Sequence, residues 1–180
     1  TKSAQALSRN YRPYKVVEIS NLNEVAASLL RNLKINAMKN RKTYYLMILD
    51  RSGSMSDCIQ ETISGFNEQI QMINDLQRRN SDQEFYISLT TFNHQIEHNF
   101  REVKVEHVKQ LTTNSYIPDG GTALLDAIGE GVINLKASRG HEFDNDEATA
   151  VVVILTDGHE NSSRIFKLDA IRMMIRELEA

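Results

Sequence analysis

Two stretches of the chain, residues 44–49 (YYLMIL) and 149–156 (TAVVVILT), are apolar on both faces. A strand wetted on one side alternates apolar and polar residues, whereas a strand apolar at successive positions has to be covered from both sides. Such strands belong inside a parallel sheet with helices above and below. The intervening segments supply the helices. Asp57 is positioned to cap a helix over 57–77, in which Ile59, Ile63, Phe66, Ile70 and Ile73 recur at steps of four and three. Residues 123–135 form a second, with Leu124, Ile128, Val132 and Leu135 inward. Ser162 or Ser163 caps a last one that runs through Ile165, Leu168, Ile171, Ile175 and Leu178. Residues 83–92 and 95–103 read as strands joined by a tight turn at Asn93-His94, a hairpin that puts an antiparallel strand at one edge. Residues 105–111 make a short crossing, and 140–147 a polar loop. The pattern predicts an α/β fold, a doubly wound, mostly parallel sheet with one antiparallel edge strand.

The N-terminal part differs in character. Residues 1–15 read as a polar arm, 15–19 as a short strand, and Ser20 or Asn21 as the cap of a helix over 22–38 with Val25, Leu29 and Leu33 on one face. Residues 1–43 hold nine Lys and Arg against Glu18 and Glu24, a net +7, while residues 44–180 carry −10. The expected division is a basic N-terminal extension with one helix, 1–43, and a domain over 44–180. The charge split would draw the extension onto the acidic body or onto an acidic partner.

Several function classes are disfavoured by composition. The longest purely apolar run, 150–155, is six residues, too short to span a bilayer, so no membrane insertion is expected. No charged start followed by an apolar stretch and a small-residue cleavage site is present, which points to a cytoplasmic protein. The single cysteine, Cys58, excludes an internal disulfide and any multi-cysteine cluster. A net charge of −3 gives no reason to expect nucleic acid.

In a parallel α/β sheet, ligands bind beyond the carboxyl ends of the strands. Three segments rich in short oxygen side chains fall there. Asp50-Arg51-Ser52-Gly53-Ser54 follows the first apolar strand, Gly120-Gly121-Thr122 precedes a helix, and Thr156-Asp157-Gly158 ends the second apolar strand. Alternate residues of an extended stretch point the same way, which would bring Asp50, Ser52 and Ser54 together. Two carboxylates and several hydroxyls, with no imidazole or thiolate, suit Mg²⁺, which accepts oxygen ligands and keeps part of its water; Mn²⁺ or Ca²⁺ would also fit. The helices starting near Asp57 and Ala123 would turn their positive ends toward the site.

These three segments together resemble the metal-ion-dependent adhesion site (MIDAS) of von Willebrand factor A (vWA) domains. The matching residues are Ile48-Leu49-Asp50-Arg51-Ser52-Gly53-Ser54-Met55, Gly120-Gly121-Thr122-Ala123-Leu124 and Ile154-Leu155-Thr156-Asp157-Gly158, most like those of small bacterial proteins of the family. The resemblance implies that Ser52 and Ser54 ligate the ion directly, Asp50 and Asp157 mostly through water, and Thr122 by either route. It implies a Rossmann-like sheet that here lacks the C-terminal strands of a full domain and so is expected to be truncated. The edge beside 149–156 would then be covered by 15–19 with helix 22–38, or by a second copy or companion chain, the coverage expected here.

The function this reading favours is a non-enzymatic, divalent-cation-dependent protein–protein interaction module, in which a partner's Asp or Glu completes the metal's coordination. The alternatives are a structural subunit with a purely structural metal site, and a metal-dependent phosphoester hydrolase. Remaining polar residues read as background. His94 and His98 decorate the hairpin, His159 rims the loop, Cys58 is structural, and Asp126 and Glu130 line a solvated helix face. Met55 plugs the floor beneath the metal loop. Arg51 points away from the ligand positions, toward either an acidic partner or an acidic neighbour.

Overall fold

The computed structural model describes residues 14–19, 42–157 and 159–179 of the chain. In chain order its elements are β1 (Tyr14–Ile19), β2 (Lys42–Asp50), a 3-10 turn (Gly53–Cys58), α1 (Ile59–Arg79), β3 (Glu84–Phe92), β4 (Ile96–Lys104), a second 3-10 turn (Val105–His107), α2 (Leu124–Asp144), β5 (Ala148–Leu155) and α3 (Leu168–Glu179). Residues 1–13 of the arm expected over 1–15, the helix expected over 22–38 and Gly158 lie outside the described residues, while residues 14 and 15 of that arm already belong to β1.

The two doubly apolar stretches are neighbours, as their composition demands. β2 pairs in parallel with β5, from Lys42 opposite Ala148 to Leu49 opposite Leu155, and on its other side in parallel with β3. The full order is β1-β5-β2-β3-β4, with β4 antiparallel at the edge. Side chains alternate across the sheet and build two cores. Tyr45, Met47, Leu49, Val151, Val153 and Leu155 share one with Ile63, Phe66, Ile70 and Ile73 of α1. Tyr44, Leu46, Ile48, Ala150, Val152 and Ile154 share the other with Ile128, Val132 and Leu135 of α2 and Ile171 and Leu178 of α3. The sheet is therefore doubly wound, and the five-strand Rossmann-like topology follows.

The edge of β5 is covered by the strand expected at 15–19, one of the two alternatives, and not by the favoured second copy or companion chain. β1 runs parallel to β5, from Tyr14 opposite Ala150 to Ile19 opposite Leu155. The chain's own N-terminal strand thus takes the backbone groups of β5 that a second copy or companion chain was expected to cover, and no partner is needed for that edge.

Three helix boundaries also differ. Cys58 rather than Asp57 occupies the cap position of α1, without a side-chain cap bond, because Gly53–Cys58 is already coiled as a 3-10 turn. α2 continues into the expected loop at 140–147 and ends at Asp144. Its last turns are held by Phe143, buried edge-on against the Tyr44 ring at 5.9 Å, and by Glu142, which accepts from Lys42 Nζ at 3.0 Å and Tyr44 Oη at 3.2 Å. Gly140 faces open space, so it carries only the helix-propensity cost of about 1 kcal/mol. α3 starts at Leu168, not at the expected serines, because the backbone before it is engaged elsewhere.

Candidate metal centre

The sheet order places a topological switch between β2 and β5. β2 feeds α1 on one face and β5 feeds α3 on the other, leaving a crevice at their carboxyl ends. Register carries Asp50 and Thr156, the residues at the mouths of the two strands, to adjacent positions, and the Thr156 hydroxyl donates to Asp50 Oδ2 at 2.6 Å. The other carboxylate oxygen, Oδ1, accepts the Ser52 N–H at 2.7 Å. Asp50 is fully buried, so its charge lies behind the loop and not on its surface.

Ser52 is extended (φ −66°, ψ 165°), and the chain then coils from Gly53. The expected extended alternation stops at Ser52; the 3-10 turn brings Ser54 in nonetheless, with Ser52 Oγ and Ser54 Oγ 3.2 Å apart. Ser54 Oγ donates to Asp157 Oδ1 at 3.0 Å. Asp50, Ser52, Ser54 and Asp157 are thus linked by hydrogen bonds across two loops. Both Ser54 and Asp157 are exposed at the mouth.

Thr122 arrives by a backbone route. Gly53 N–H donates to Gly120 O at 2.9 Å, Asp119 N–H to Arg51 O at 2.8 Å and Ala123 N–H to Asn93 O at 2.7 Å, which seats the 119–123 loop on the serine loop and on the end of β3. Gly120 has φ +76°, a conformation that favours glycine, and a Cβ there would lie 2.2 Å from His94 Nδ1. The five residues expected to hold a cation therefore sit in three loops at the carboxyl end of the sheet, with Thr122 buried.

Several residues that matter here are not visible as site residues in the sequence. Tyr116 is buried and its hydroxyl donates to the Asp50 carbonyl at 2.5 Å; burial raises that hydroxyl well above the usual tyrosine range. Asp126, expected on a solvated face, is buried and accepts the backbone N–H groups of Arg164, Ile165 and Phe166 at 2.7, 2.9 and 2.7 Å. Glu160 accepts the Leu125 N–H at 3.0 Å, so the first turn of α2 is capped by a carboxylate and does not offer that amide to the crevice. Asn161 Oδ1 accepts the Thr122 N–H at 2.9 Å. An alternation or spacing signal for these contacts does not exist, because Tyr116 reaches back 66 residues and the others join α2 or its loop to a segment 35 to 40 residues away.

Arg51 turns to an acidic neighbour, with its guanidinium 3.5 Å from Glu97 on β4. His98 is wedged between sheet and helix and is more than a decoration, meeting Thr90 Oγ1 at 3.0 Å and Asn134 Nδ2 at 3.2 Å. Glu130 approaches the same ring at 3.6 Å. His94 and His159 are exposed. Met55 is buried in the core under the loop, and the Cys58 thiol donates to the Met55 carbonyl at 3.5 Å.

Among the described residues, no group of three or more His, Cys, Asp and Glu side chains comes together to hold a metal. The crevice has two carboxylates, and its other donors are hydroxyls. That donor set fits a hard, partly hydrated cation such as Mg²⁺ and does not fit a transition metal needing nitrogen or sulfur. A sequence model of the von Willebrand factor type A domain matches residues 46–179. The chain belongs to this family. No curated protein matches the sequence. The vWA match spans β2 to α3 and contains Asp50, Ser52, Ser54, Thr122 and Asp157. vWA domains are adhesion and interaction modules and not catalysts, and the chain is assigned accordingly as a non-enzyme. No helix among the described residues is long and apolar enough to cross a membrane.

Proposed function

We propose that this vWA domain is a divalent-cation-dependent protein-binding module that uses a MIDAS-type centre. The observation that carries the reading is the hydrogen-bonded line Asp50, Ser52, Ser54 and Asp157 across the β2/β5 crevice, flanked by the Thr122 loop. Ser52, Ser54 and Thr122 would hold the ion through hydroxyls, and Asp50 and Asp157 would balance its charge. Mg²⁺ is the ion that fits best, with Mn²⁺ and Ca²⁺ as substitutes. When bound, the cation supplies an electrophilic centre for an acidic side chain.

The chain's own residues prepare that centre. Tyr116, Thr156 and the Ser52 amide hold Asp50 in place from behind. Asp157 stands at the exposed mouth, where an incoming carboxylate from a partner's Asp or Glu would arrive. With only two site carboxylates a divalent ion is just neutralised, which leaves it receptive to a third.

Affinity capture from lysate, with the full chain in millimolar Mg²⁺ or in chelator, tests this reading. The expected result is a partner retained by the parent in Mg²⁺, released by chelator, and not retained by Asp157→Ala. A partner held equally by parent and D157A, with or without chelator, would sink it.

A further inference from the structure

We propose that Asp126 and Glu160 are positioning residues that fix the two rims of the cation site against each other, an inference that rests on the metal reading above. The two carboxylates work reciprocally. Asp126, on the first turn of α2 and 5% exposed, grips the backbone of the opposite loop: Oδ1 accepts the N–H groups of Ile165 and Phe166, and Oδ2 that of Arg164. Glu160, on that loop, faces the other way. Its Oε2 accepts the Leu125 N–H at 3.0 Å and the Ser163 hydroxyl at 2.7 Å, while Oε1 accepts the N–H groups of Ser162 at 2.9 Å and Ser163 at 2.7 Å. Ser163 Oγ in turn accepts the Asp126 N–H at 3.1 Å, which closes the circuit.

What this circuit joins is specific. On the helix side it ends at Thr122, whose N–H donates to Asn161 Oδ1 and whose carbonyl accepts from the N–H groups of Asn161 and Ser162. On the loop side it begins three residues after Asp157. The fit leaves no slack, since a Cβ at Gly121 would sit 2.2 Å from Ser162 Oγ. Asp126 meets three backbone donors, so it is occupied as an acceptor and acts on the site through the loop. Charge-assisted bonds to backbone N–H groups are among the strongest a carboxylate makes, and they fix main chain and not merely a side chain. The separation of Thr122 and Asp157 is therefore set by Asp126 and Glu160, which the ion never touches.

The test uses the full chain with Mg²⁺ alone as the probe, read by calorimetry, together with amide hydrogen exchange in cation-free buffer. Asp126→Asn turns an amide NH₂ or a weaker acceptor toward backbone N–H groups; Glu160→Gln is the milder variant should D126N fail to fold. Glu142→Gln, at the opposite end of the sheet, removes the ion pairs to Lys42 and Arg139 without touching either loop. D126N and E160Q are expected to raise the Mg²⁺ Kd by about tenfold or more and to speed exchange over 160–167, with β2 and β5 protected as in the parent. E142Q is expected to leave the Kd unchanged. Parent-like Kd values in D126N and E160Q, or equal weakening by E142Q, would overturn the positioning role alone. A parent that binds no Mg²⁺ would overturn the metal reading and this role with it.

Discussion

The Ser54 hydroxyl donates to the Asp157 carboxylate at 3.0 Å, a bond between residues 103 positions apart that spans the crevice between β2 and β5. Both groups are exposed, so the bond itself contributes little to stability. Its meaning is geometric. Two strands in register deliver a hydroxyl and a carboxylate to one point, and the buried Asp50 stands behind them.

Thr156→Val tests the support behind the site. The change keeps the shape of the side chain and deletes the hydroxyl that donates to Asp50 Oδ2. Asp50 is fully buried and cannot recover that bond from bulk water. Urea unfolding in chelator is expected to show a loss of about 1–3 kcal/mol. An unchanged midpoint would mean that the Thr156 bond is not needed to hold Asp50.

Gly120→Ala tests the seating of the Thr122 loop. A Cβ at φ +76° is strained, and it would also meet His94 Nδ1 at 2.2 Å. The expected loss is about 1–2 kcal/mol, with weaker Mg²⁺ binding because Thr122 moves with the turn. Thermal unfolding and Mg²⁺ titration of the variant give the two readings, and parent-like values in both would contradict the account of this loop.

The end of the sheet remote from the site carries a pH dependence. Arg139 bonds the carboxylates of Glu102 and Glu142, and Glu142 also accepts from Lys42. Burial pushes both carboxyls up, but these bonds outweigh it and hold both below the ordinary value of 4.5. Carboxyls depressed on folding stabilise fully above their unfolded value and lose that contribution as pH falls through the folded value. Arg139→Ala is expected to cost about 1 kcal/mol at pH 7, with the gap to the parent closing as pH falls below 4.5. A gap that stays constant from pH 7 to pH 3 would contradict the assignment.

The sequence makes some of this legible for a physical reason. Doubly apolar strands and the 3.6-residue stripe of α1 are local patterns, and each lands where its pattern requires, whereas Ser54 reaches Ser52 through a 3-10 turn and not by the expected alternation. Asp126 is not legible, because four residues before Glu130 it looks like one more solvated carboxylate; its burial exists only once 160–166 crosses the start of α2. Ser162 and Ser163 look like caps for the last helix but turn to Glu160, which delays α3 to Leu168. The pairing of β1 with β5 joins strands far apart in sequence, and nothing in five or six residues specifies that neighbour over a partner chain. Gly140 looks like a breaker, yet its position is open and Phe143 anchors the turn beyond it.

The central claim is that Asp50, Ser52, Ser54, Thr122 and Asp157 form one cation site, and calorimetric titration of Mg²⁺ into the chelator-stripped full chain tests it most directly. The account predicts saturable binding of one ion per chain, weakened about tenfold or more by Ser54→Ala and by D157A, with both variants folded in chelator. No saturable binding by the parent, or binding that S54A and D157A leave unchanged, would contradict it.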